Sequence, residues 1–267
     1  MRFDLITIFP EFFTSIFDHG VLRRARTTGL VAVEITDLRQ FAHDRHRTVD
    51  DRPFGGGEGM VLKPEPLAEA VESLSLAPKP ARDRTREQVI LLSAQGARFT
   101  QAVARELASL ERVVLLCGRY EGVDERVNDL LCDRELSVGD FVLSGGELAA
   151  ALVVDATARL LPGVLGNEAS SEFESFGPVE TEPDPDAPPR STHGSGGLLD
   201  YPHYTRPSEF RDLAVPAVLT QGDHAAIRRW RRERALEKTW RNRPDLLPSA
   251  PLTDADRRFL RTLGWNG

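Results

Sequence analysis

Hydrophobic positions in the first part of the chain alternate between short apolar runs and stretches with helical periodicity. Five apolar or alternating runs predict β-strands, at residues 2–9, 31–36, 88–93, 112–117 and 135–143. Helical periodicity occupies residues 11–19, 64–76, 100–110 and 147–161, a short basic segment after residue 20 and a segment from residue 123. Strands that alternate with helices are typical of a parallel sheet with helical crossovers. We therefore expect an α/β domain over residues 1–161.

The same pattern also predicts a long loop and an apolar helix face. Residues 37–59 hold few apolar positions and end in a cluster of glycines, which predicts a long loop. Long loops inside compact domains are usually functional. In the last helix of the domain, apolar residues recur every four positions and predict one apolar stripe, formed by Leu148, Leu152, Ala156 and Leu160.

The pattern changes after residue 161. Residues 162–205 are rich in proline, glycine, serine and acidic side chains, a composition typical of a flexible, partly disordered linker. Residues 206–267 regain helical periodicity and carry many basic positions. We therefore expect a small all-helical domain at the C-terminal end of the chain.

Composition narrows the class of protein. The 267 residues are 40% hydrophobic and 28% charged, with a net charge of −7, and no apolar run is long enough to span a bilayer. The N-terminus lacks the features of a secretory signal, so we expect a cytoplasmic protein with no membrane partner. Cys117 and Cys132 are too few for a zinc or disulfide framework, and we expect both thiols to be reduced and buried.

Charge is distributed unevenly along the chain. Residues 224–243 carry eight Lys or Arg against two Glu, whereas residues 172–186 carry six acids and no base. Trp230 and Trp240 are interleaved with the basic run, and basic side chains beside aromatic ones suit RNA. A solvated helix face is the alternative interpretation. Trp230 is also compatible with a core position, because it shares a helical face with Ile227.

Glycine-rich turns are the candidates for a ligand site. Gly118 and Gly122 bracket a turn after the strand at 112–117, and a similar turn at 144–147 opens a helix. Open α/β sheets bind ligands at the carboxyl ends of their strands, although ordinary strand-to-helix turns look alike in sequence. None of these turns matches a Walker loop or a dinucleotide fingerprint, which argues against ATP and NAD.

The segment 43–47 allows two interpretations, a metal site or a phosphate-facing loop. His43 and His46 are potential metal ligands, but arginines on both sides would repel a cation. We therefore favour a phosphate-facing loop and assign no metal ligand. The glycines at 55–57 and 59 that follow supply backbone amides free to bend round a substrate, or form a flexible tip.

Five motifs occur in order along the chain: HDRHRTVDDRPFGGGEGM at 43–60, LLCGRYEGVDERV at 115–127, SVGDFVLSGGE at 137–147, PGVLGNEAS at 162–170 and HYTRP at 203–207. With them the chain resembles the bacterial tRNA (guanine-N1)-methyltransferase family, TrmD, over nearly its whole length. The resemblance implies methyl transfer from S-adenosylmethionine to N1 of the tRNA guanosine 3′-adjacent to the anticodon, position 37, which maintains the reading frame. It also implies a SPOUT-type parallel sheet with a deep trefoil knot, an obligate homodimer and a requirement for Mg²⁺ without assignable ligands.

Motif positions then assign residues to each substrate. The resemblance places the cofactor at Leu92, Ala94, Gly118, Tyr120, Glu121, Gly122, Ser137, Val138, Gly139, Asp140, Phe141, Val142, Leu143, Gly145 and Gly146. It places tRNA at Arg45, His46, Arg47, Asp50, Gly55, Gly56, Gly59, Ser170, Arg228 and Arg231. In the implied dimer, the knot loops of one subunit act together with the linker and C-terminal domain of the other.

The resemblance also implies two catalytic residues. Arg159 stands where the family stabilises the negative charge that develops on guanine O6. The family usually has an aspartate before Ser-Phe as the base that accepts the N1 proton, and this chain has Glu174 before Ser175. Glutamate has a similar intrinsic pKa but one more methylene, and Glu172 is a rival in the same segment.

Several residues depart from the family pattern. Leu91, Ala94, Phe141 and Glu58 replace residues common in the family. The stretch 177–196 resembles an insertion, and its composition predicts a segment that is disordered without tRNA and orders on binding it. Two alternatives stay open beside the methyltransferase. One is a catalytically silent RNA-binding protein of the same fold, and the other is a knotted methyltransferase acting on another RNA site.

Overall fold

The structure is a computed structural model that describes residues 1–178 and 195–267. These residues fall into two compact units, unit 1 at residues 1–166 and unit 2 at residues 167–267. The described part of the predicted linker 162–205 belongs to one unit or the other. Most of the predicted insertion at 177–196, including the expected ordering on RNA binding, lies outside the described residues.

Unit 1 is built on a five-stranded parallel sheet. Its strands are β1 (Arg2–Thr7), β2 (Ala32–Asp37), β5 (Glu87–Arg98), β6 (Arg112–Cys117) and β7 (Arg134–Ser137), in the order β2-β1-β6-β5-β7. A separate antiparallel pair joins β3 (Asp50–Asp51) to β4 (Val61–Leu62). The central strands are apolar on both faces, as expected of a parallel sheet covered on both sides.

Helices cover both faces of this sheet. They are α1 (Gly20–Thr27), α2 (Pro64–Glu72), α3 (Gln101–Ala108), α4 (Glu125–Leu131) and α5 (Glu147–Ala158). Buried side chains of α1, α3 and α5 form one core with the sheet, and those of α2 and α4 form a second core. Short 3-10 helices lie at Pro10–Phe13, Leu38–Phe41 and Lys79–Ala81. The predicted α/β class with a parallel sheet is therefore confirmed.

Two elements differ from the prediction at the edge that matters for ligand binding. The strand predicted at 135–143 ends at Ser137, and residues 138–146 form loops instead. Strand β5 continues past its predicted end, and both Leu92 and Ala97 pair with Leu136 across a register shift. Gly96 makes this possible, because a Cβ there would lie 2.5 Å from the backbone of Leu136. The residues between the paired positions bulge out of the sheet.

Helix α5 exposes the apolar stripe that its sequence predicts. Leu148 and Leu152 are 53% and 45% exposed, whereas Val153 and Val154 on the other side are fully buried. A helix that is apolar all round does not reveal from its periodicity which face packs on the sheet. The helix predicted at 11–19 is reduced to the 3-10 turn at Pro10–Phe13, which contacts α5. Further apolar side chains are exposed on and beside that turn, namely Phe9, Phe12 and Ile16.

Unit 2 contains two main helices, α6 (His224–Asn242) and α7 (Asp254–Thr262). Its core consists of Leu198, Leu236, Leu247, Leu260 and Trp265. The prediction of an all-helical domain is wrong in one respect, because β8 (Glu209–Phe210) and β9 (Leu213–Ala214) form a short antiparallel pair. Among the described residues, no helix combines the length and the apolar character needed to cross a membrane.

Candidate active site

A cavity opens at the carboxyl ends of β5, β6 and β7, where parallel sheets bind ligands. We call it the cofactor pocket. It is lined by the β5 bulge, the turn after β6 and the loop after β7. All the residues predicted to bind the cofactor line it except Gly139 and Asp140. The predicted residues found in its lining are Leu92, Ala94, Gly118, Tyr120, Glu121, Gly122, Ser137, Val138, Phe141, Val142, Leu143, Gly145 and Gly146. The structure thus brings together three segments that are far apart in sequence.

The two exceptions lie on the loop after β7 but not in the lining of the pocket. The carboxylate of Asp140 pairs with Arg98 at 2.5 Å, outside the cavity. The carbonyl of Gly139 accepts hydrogen bonds from the Phe141 amide at 2.9 Å and from the Ser137 hydroxyl at 3.0 Å. A Cβ on Gly139 would lie 2.4 Å from the Phe141 ring. Gly139 therefore permits the turn that directs Phe141 to the pocket.

Glycine allows the pocket loops to pack backbone against backbone. The Gly146 amide donates to the Gly118 carbonyl at 2.8 Å, and a Cβ on Gly146 would lie 2.7 Å from Cα of Cys117. A Cβ on Gly118 would lie 3.1 Å from the carbonyl oxygen of Leu92. The three segments therefore approach more closely than residues with side chains would allow.

A buried ion pair holds two of these loops and the end of β1, and the sequence prediction missed it. Arg119 Nη2 lies 2.9 Å from Glu147 Oε2, and its Nη1 donates to the Ser144 carbonyl at 3.0 Å. Glu147 is 1% exposed and accepts a second hydrogen bond from the Thr7 hydroxyl at 2.7 Å. The Arg119 guanidinium also lies 4.5 Å from the centre of the Phe9 ring. The sequence held two signals of this pair: Arg119 lies between two glycines, and Glu147 is the first residue of α5.

Unit 1 holds two buried thiols. Cys117 and Cys132 are both buried, as predicted. Burial, with the nearby Glu147 carboxylate, raises the pKa of Cys117 well above its usual value. Burial also raises the pKa of Cys132 to about 12. Both thiols therefore stay protonated and unreactive near neutral pH.

The lining of the pocket suits a flat heterocycle with a cationic substituent. Backbone groups and aliphatic side chains make up much of its wall, with Leu136, Val138 and Leu143 among them. Acidic side chains also line it, at Glu121, Glu125 and Glu135. Within residues 1–178 and 195–267, no group of three or more His, Cys, Asp or Glu side chains is placed to hold a metal ion.

The predicted RNA-binding loop is anchored beside the pocket. The Glu121 amide donates to the Met60 carbonyl at 3.0 Å, and the Leu62 amide donates to the Gly122 carbonyl at 3.0 Å. These bonds fix the residues after the loop to the turn that lines the pocket. Most of the predicted RNA-binding residues of unit 1 are exposed, namely Arg45, His46, Arg47, Gly55, Gly56 and Gly59, while Asp50 is half-buried.

The basic segment of this loop has a defined turn. Asp44 accepts hydrogen bonds from the amides of Thr48 and His46, each at 2.8 Å, and these bonds lower the pKa of its carboxyl. His43 Nε2 lies 2.7 Å from Glu69 Oε2 on α2. Asp44 is therefore occupied in shaping the loop, while Arg45 and Arg47 are exposed to solvent.

Arg159 and the candidate bases belong to different units. Arg159 caps the C-terminal end of α5 and is half-buried. Glu172 and Glu174 lie in unit 2 on a turn, where the Gly177 amide donates to the Glu174 carbonyl at 3.1 Å. A Cβ on Gly177 would lie 2.5 Å from the Glu172 carbonyl oxygen, so the turn closes only around glycine. Glu174 is half-buried and Glu172 is exposed.

The remaining candidates lie elsewhere in unit 2. Ser170 is exposed on the 3-10 helix Glu168–Ser171. Arg228 and Arg231 are half-buried on α6, and the Arg231 guanidinium lies 4.8 Å from the centre of the Tyr201 ring. Trp240 donates its Nε1–H to the Leu263 carbonyl at 3.3 Å and packs on the core of the unit.

Comparison with known proteins agrees with this arrangement. The sequence profile described as tRNA (Guanine-1)-methyltransferase TrmD matches residues 1–249. A relative from Koribacter versatilis, named tRNA (guanine-N(1)-)-methyltransferase, is 60% identical over 263 residues, which cover 98% of each chain. Relatives of the same name from Geobacter metallireducens and Moorella thermoacetica are 48% and 49% identical over 263 residues, which cover 98% of this chain and 98% and 96% of theirs. Since the match runs through both units and includes every loop of the pocket, the chain belongs to the tRNA (guanine-N1)-methyltransferase family, TrmD.

Proposed function

We propose that this protein transfers a methyl group from S-adenosylmethionine to N1 of the guanosine at position 37 of tRNA, next to the anticodon, and so maintains the reading frame. The observation that carries the proposal is the convergence of two family motifs, at 115–127 and 137–147, with the β5 bulge on one cavity at the carboxyl ends of the strands. Family membership over residues 1–249 and the names of the relatives support the reaction and the tRNA substrate.

The pocket residues fit S-adenosylmethionine. Backbone amides and carbonyls of residues 137–146 would bind the polar edges of the adenine, and Val138 and Leu143 would cover its faces. The carboxylates at 121, 125 and 135 would offset the positive charges of the sulfonium and amino groups. When bound, the cofactor supplies a methyl group that is electrophilic without help from a metal.

The chemical difficulty lies with the guanine, because N1 carries a proton and is a poor nucleophile while it does. We assign Glu174 as the base that accepts this proton, and Arg159 as the cation that stabilises negative charge on O6. Glu172 remains the rival base on the same turn. Glu174 is favoured by its register with Ser175, whose hydroxyl accepts a hydrogen bond from the Asp200 amide at 2.9 Å and so fixes the turn.

The tRNA would contact both units. The exposed loop with Arg45, His46 and Arg47 offers positive charge near the cofactor pocket, and Arg228 and Arg231 offer it on α6. Phosphate contacts of this kind supply affinity, while the pocket selects the base. With tRNA as the substrate, the cytoplasm is the compartment in which we expect the enzyme to act.

A homodimer would cover the exposed apolar stripe of α5. Leu148 and Leu152 lie there, and Phe9, Phe12 and Ile16 are exposed on the neighbouring 3-10 turn. Contiguous exposed apolar side chains of this kind typically mark an interface between proteins. Sedimentation equilibrium over a concentration series tests the dimer, and a monomer at every concentration would contradict it.

Two further family properties are part of the proposal. The chain would form the trefoil knot with its pocket loops, and the bridge between Arg119 in the loop after β6 and Gly145 in the loop after β7 is compatible with their close packing. An experimental structure would test the threading directly. Mg²⁺ would assist turnover, yet the described residues offer no cage of three acidic or His/Cys ligands, so no step is assigned to it.

The decisive experiment is methyl transfer to a tRNA transcript with guanosine at position 37, followed by nuclease digestion and mass spectrometry. We expect 1-methylguanosine at that position and no product when it is changed to adenosine. Methylation of another atom or site would favour a knotted methyltransferase of different specificity. Tight tRNA binding without any methyl transfer would favour a silent RNA-binding protein.

A further inference from the structure

The loop between β3 and β4 carries a phenylalanine that is 100% exposed, Phe54. Other large apolar side chains of unit 1 are exposed only in part, including those of the α5 stripe. Complete exposure of an aromatic ring is unfavourable in water, because the ring forgoes the gain from burial. An exposed aromatic side chain on a loop that also carries an arginine, Arg52, is a candidate contact for a nucleic-acid base.

The conformation of the loop is set by glycine. Gly55, Gly56 and Gly57 have φ of 85°, 78° and 124°, which residues with side chains rarely adopt. The Gly56 amide donates to the Pro53 carbonyl at 3.3 Å and closes a turn around Phe54. The backbone therefore bends directly after Phe54, and its ring stands clear of the loop.

The base of the loop lies against the cofactor pocket. The Met60 carbonyl accepts a hydrogen bond from the amide of Glu121, a pocket-lining residue, at 3.0 Å. A Cβ on Gly59 would lie 2.3 Å from Glu121 Oε1, so the chain passes directly over that side chain. Phe54 is thus tethered by a few residues to the rim of the site where the methyl group is transferred.

The reaction creates a need that an aromatic side chain can meet. The target guanine must leave its stack to reach the methyl donor, and the neighbouring base then loses a stacking partner. Proteins that disturb a base stack often insert an apolar side chain into it. Exposed arginines on this loop (Arg52) and on the segment before β3 (Arg45 and Arg47) suit the phosphates on either side.

We propose that Phe54 stacks on the RNA base next to the target guanosine and takes the place that the displaced guanine leaves. The inference rests on the proposed function and adds a substrate-positioning residue to it. A stacking role requires a flat ring rather than apolar bulk. Tyrosine at this position preserves the interaction, and leucine does not.

The test compares Phe54→Ala, Phe54→Leu and Phe54→Tyr with the wild type, and uses Leu130→Ala as the control. Leu130 is an exposed apolar residue on α4 of the same unit. We expect kcat/KM for tRNA to fall about 5- to 150-fold in the Ala and Leu variants, because base stacking contributes about 1–3 kcal/mol at a factor of ten per 1.4 kcal/mol. Phe54→Tyr and Leu130→Ala should stay within about twofold of the wild type, on the scale of ordinary surface substitutions.

Two further measurements separate stacking from other roles. Binding of S-adenosylmethionine, measured by calorimetry, should be unchanged in all variants. The fluorescence of 2-aminopurine placed next to the target guanosine should be quenched by the wild type and by Phe54→Tyr, and should remain high with Phe54→Ala.

Several outcomes would overturn the inference while leaving the proposed function intact. These are wild-type kcat/KM in Phe54→Ala, full activity in Phe54→Leu, a loss of cofactor binding equal to the loss of activity, or a change in oligomeric state. Failure of the wild type to methylate position 37 would instead overturn the proposed function, and the stacking inference with it.

Discussion

The pocket loops of unit 1 and the residues assigned to RNA differ in how the protein holds them. The loops around Gly118 and Gly146 are joined by backbone hydrogen bonds, close glycine contacts and the buried pair of Arg119 with Glu147. The loop that we assign to RNA is hydrogen-bonded at its base, and its tip with Phe54 is exposed. A small ligand gains most from a preformed site, whereas a large one can supply the energy to order a loop.

The largest loss of activity should come from replacing the proposed base, Glu174, which is among the residues assigned to the RNA substrate. Glu174→Gln removes the proton acceptor and should lower kcat about 10²- to 10⁴-fold. Because the pocket loops are separate from the turn that carries Glu174, calorimetry should find unchanged cofactor affinity. Glu172→Gln is the matched control and should keep most of the activity. A full loss in Glu172→Gln with an active Glu174→Gln would exchange the two roles.

Removing one partner of the buried pair should instead lower the stability of the loops that line the cofactor pocket. Arg119→Met leaves the Glu147 carboxylate buried without its cation, and loss of one partner of a buried pair costs about 3–5 kcal/mol. Denaturant unfolding measures this, with Arg126→Met on the nearby helix α4 as the control. Arg126 pairs with Asp124 at the surface, where solvent screens the charges, so its loss should change the stability much less than the loss of Arg119. Equal losses in the two variants would show that the buried pair does not hold the loops.

A smaller effect should follow from adding one methyl group between the pocket loops. Gly146→Ala places a Cβ 2.7 Å from the backbone of Cys117, and overpacking of this kind costs about 1–3 kcal/mol. We expect weaker cofactor binding and a lower melting temperature. Gly166→Ala is the control, because its Cβ would meet only the end of the Arg24 side chain at 3.6 Å. Normal cofactor affinity in Gly146→Ala would contradict the close packing described here.

The smallest effect concerns pH and the ion pair inside unit 2. Burial opposes ionisation of Asp256, but hydrogen bonds from Arg232 and from Thr253 outweigh it and lower the pKa of the carboxyl. A lowered pKa stabilises the fold above the unfolded value of about 3.9, and this contribution is lost as pH falls through the folded value. Urea unfolding of unit 2 from pH 6 to pH 3 should show a steeper decline for wild type than for Asp256→Asn. Parallel curves would contradict the assignment.

Local sequence patterns predicted much of the sheet, because buried parallel strands are short apolar runs. Strand β6 begins and ends where its pattern predicts, at Arg112 and Cys117. Strand β7 ends early, since residues after Ser137 turn into the pocket although they remain apolar. These residues are apolar because they line a cavity. Apolar residues can do so from a loop as well as from a strand, so the sequence pattern does not distinguish the two. The stripe of α5 was recognised as apolar, but its exposure depends on packing that the periodicity does not encode.

The candidate site, like the fold, was predictable from the sequence only in part. The composition of the glycine-rich turns predicts a ligand site, and the resemblance to a family assigns individual residues within them to the cofactor. The contacts among Arg119, Glu147 and Thr7 join three segments that are distant in sequence, so no local pattern predicts them. The position of Phe54 was also outside the predicted site, because only the structure shows that its ring is fully exposed.

The hydrogen bonds on either side of the segment 179–194 have a consequence for evolution and for engineering. The Gly177 amide donates to the Ser195 hydroxyl at 2.6 Å, and the Gly196 amide donates to the Pro178 carbonyl at 3.2 Å. The two residues that flank this segment, Pro178 and Ser195, therefore lie close together in unit 2. Closing a longer loop costs only about 0.6 kcal/mol for each doubling of its length. Homologues can therefore lengthen or shorten this stretch at little cost, and an affinity tag or a fluorescent reporter can be inserted there without disturbing the fold.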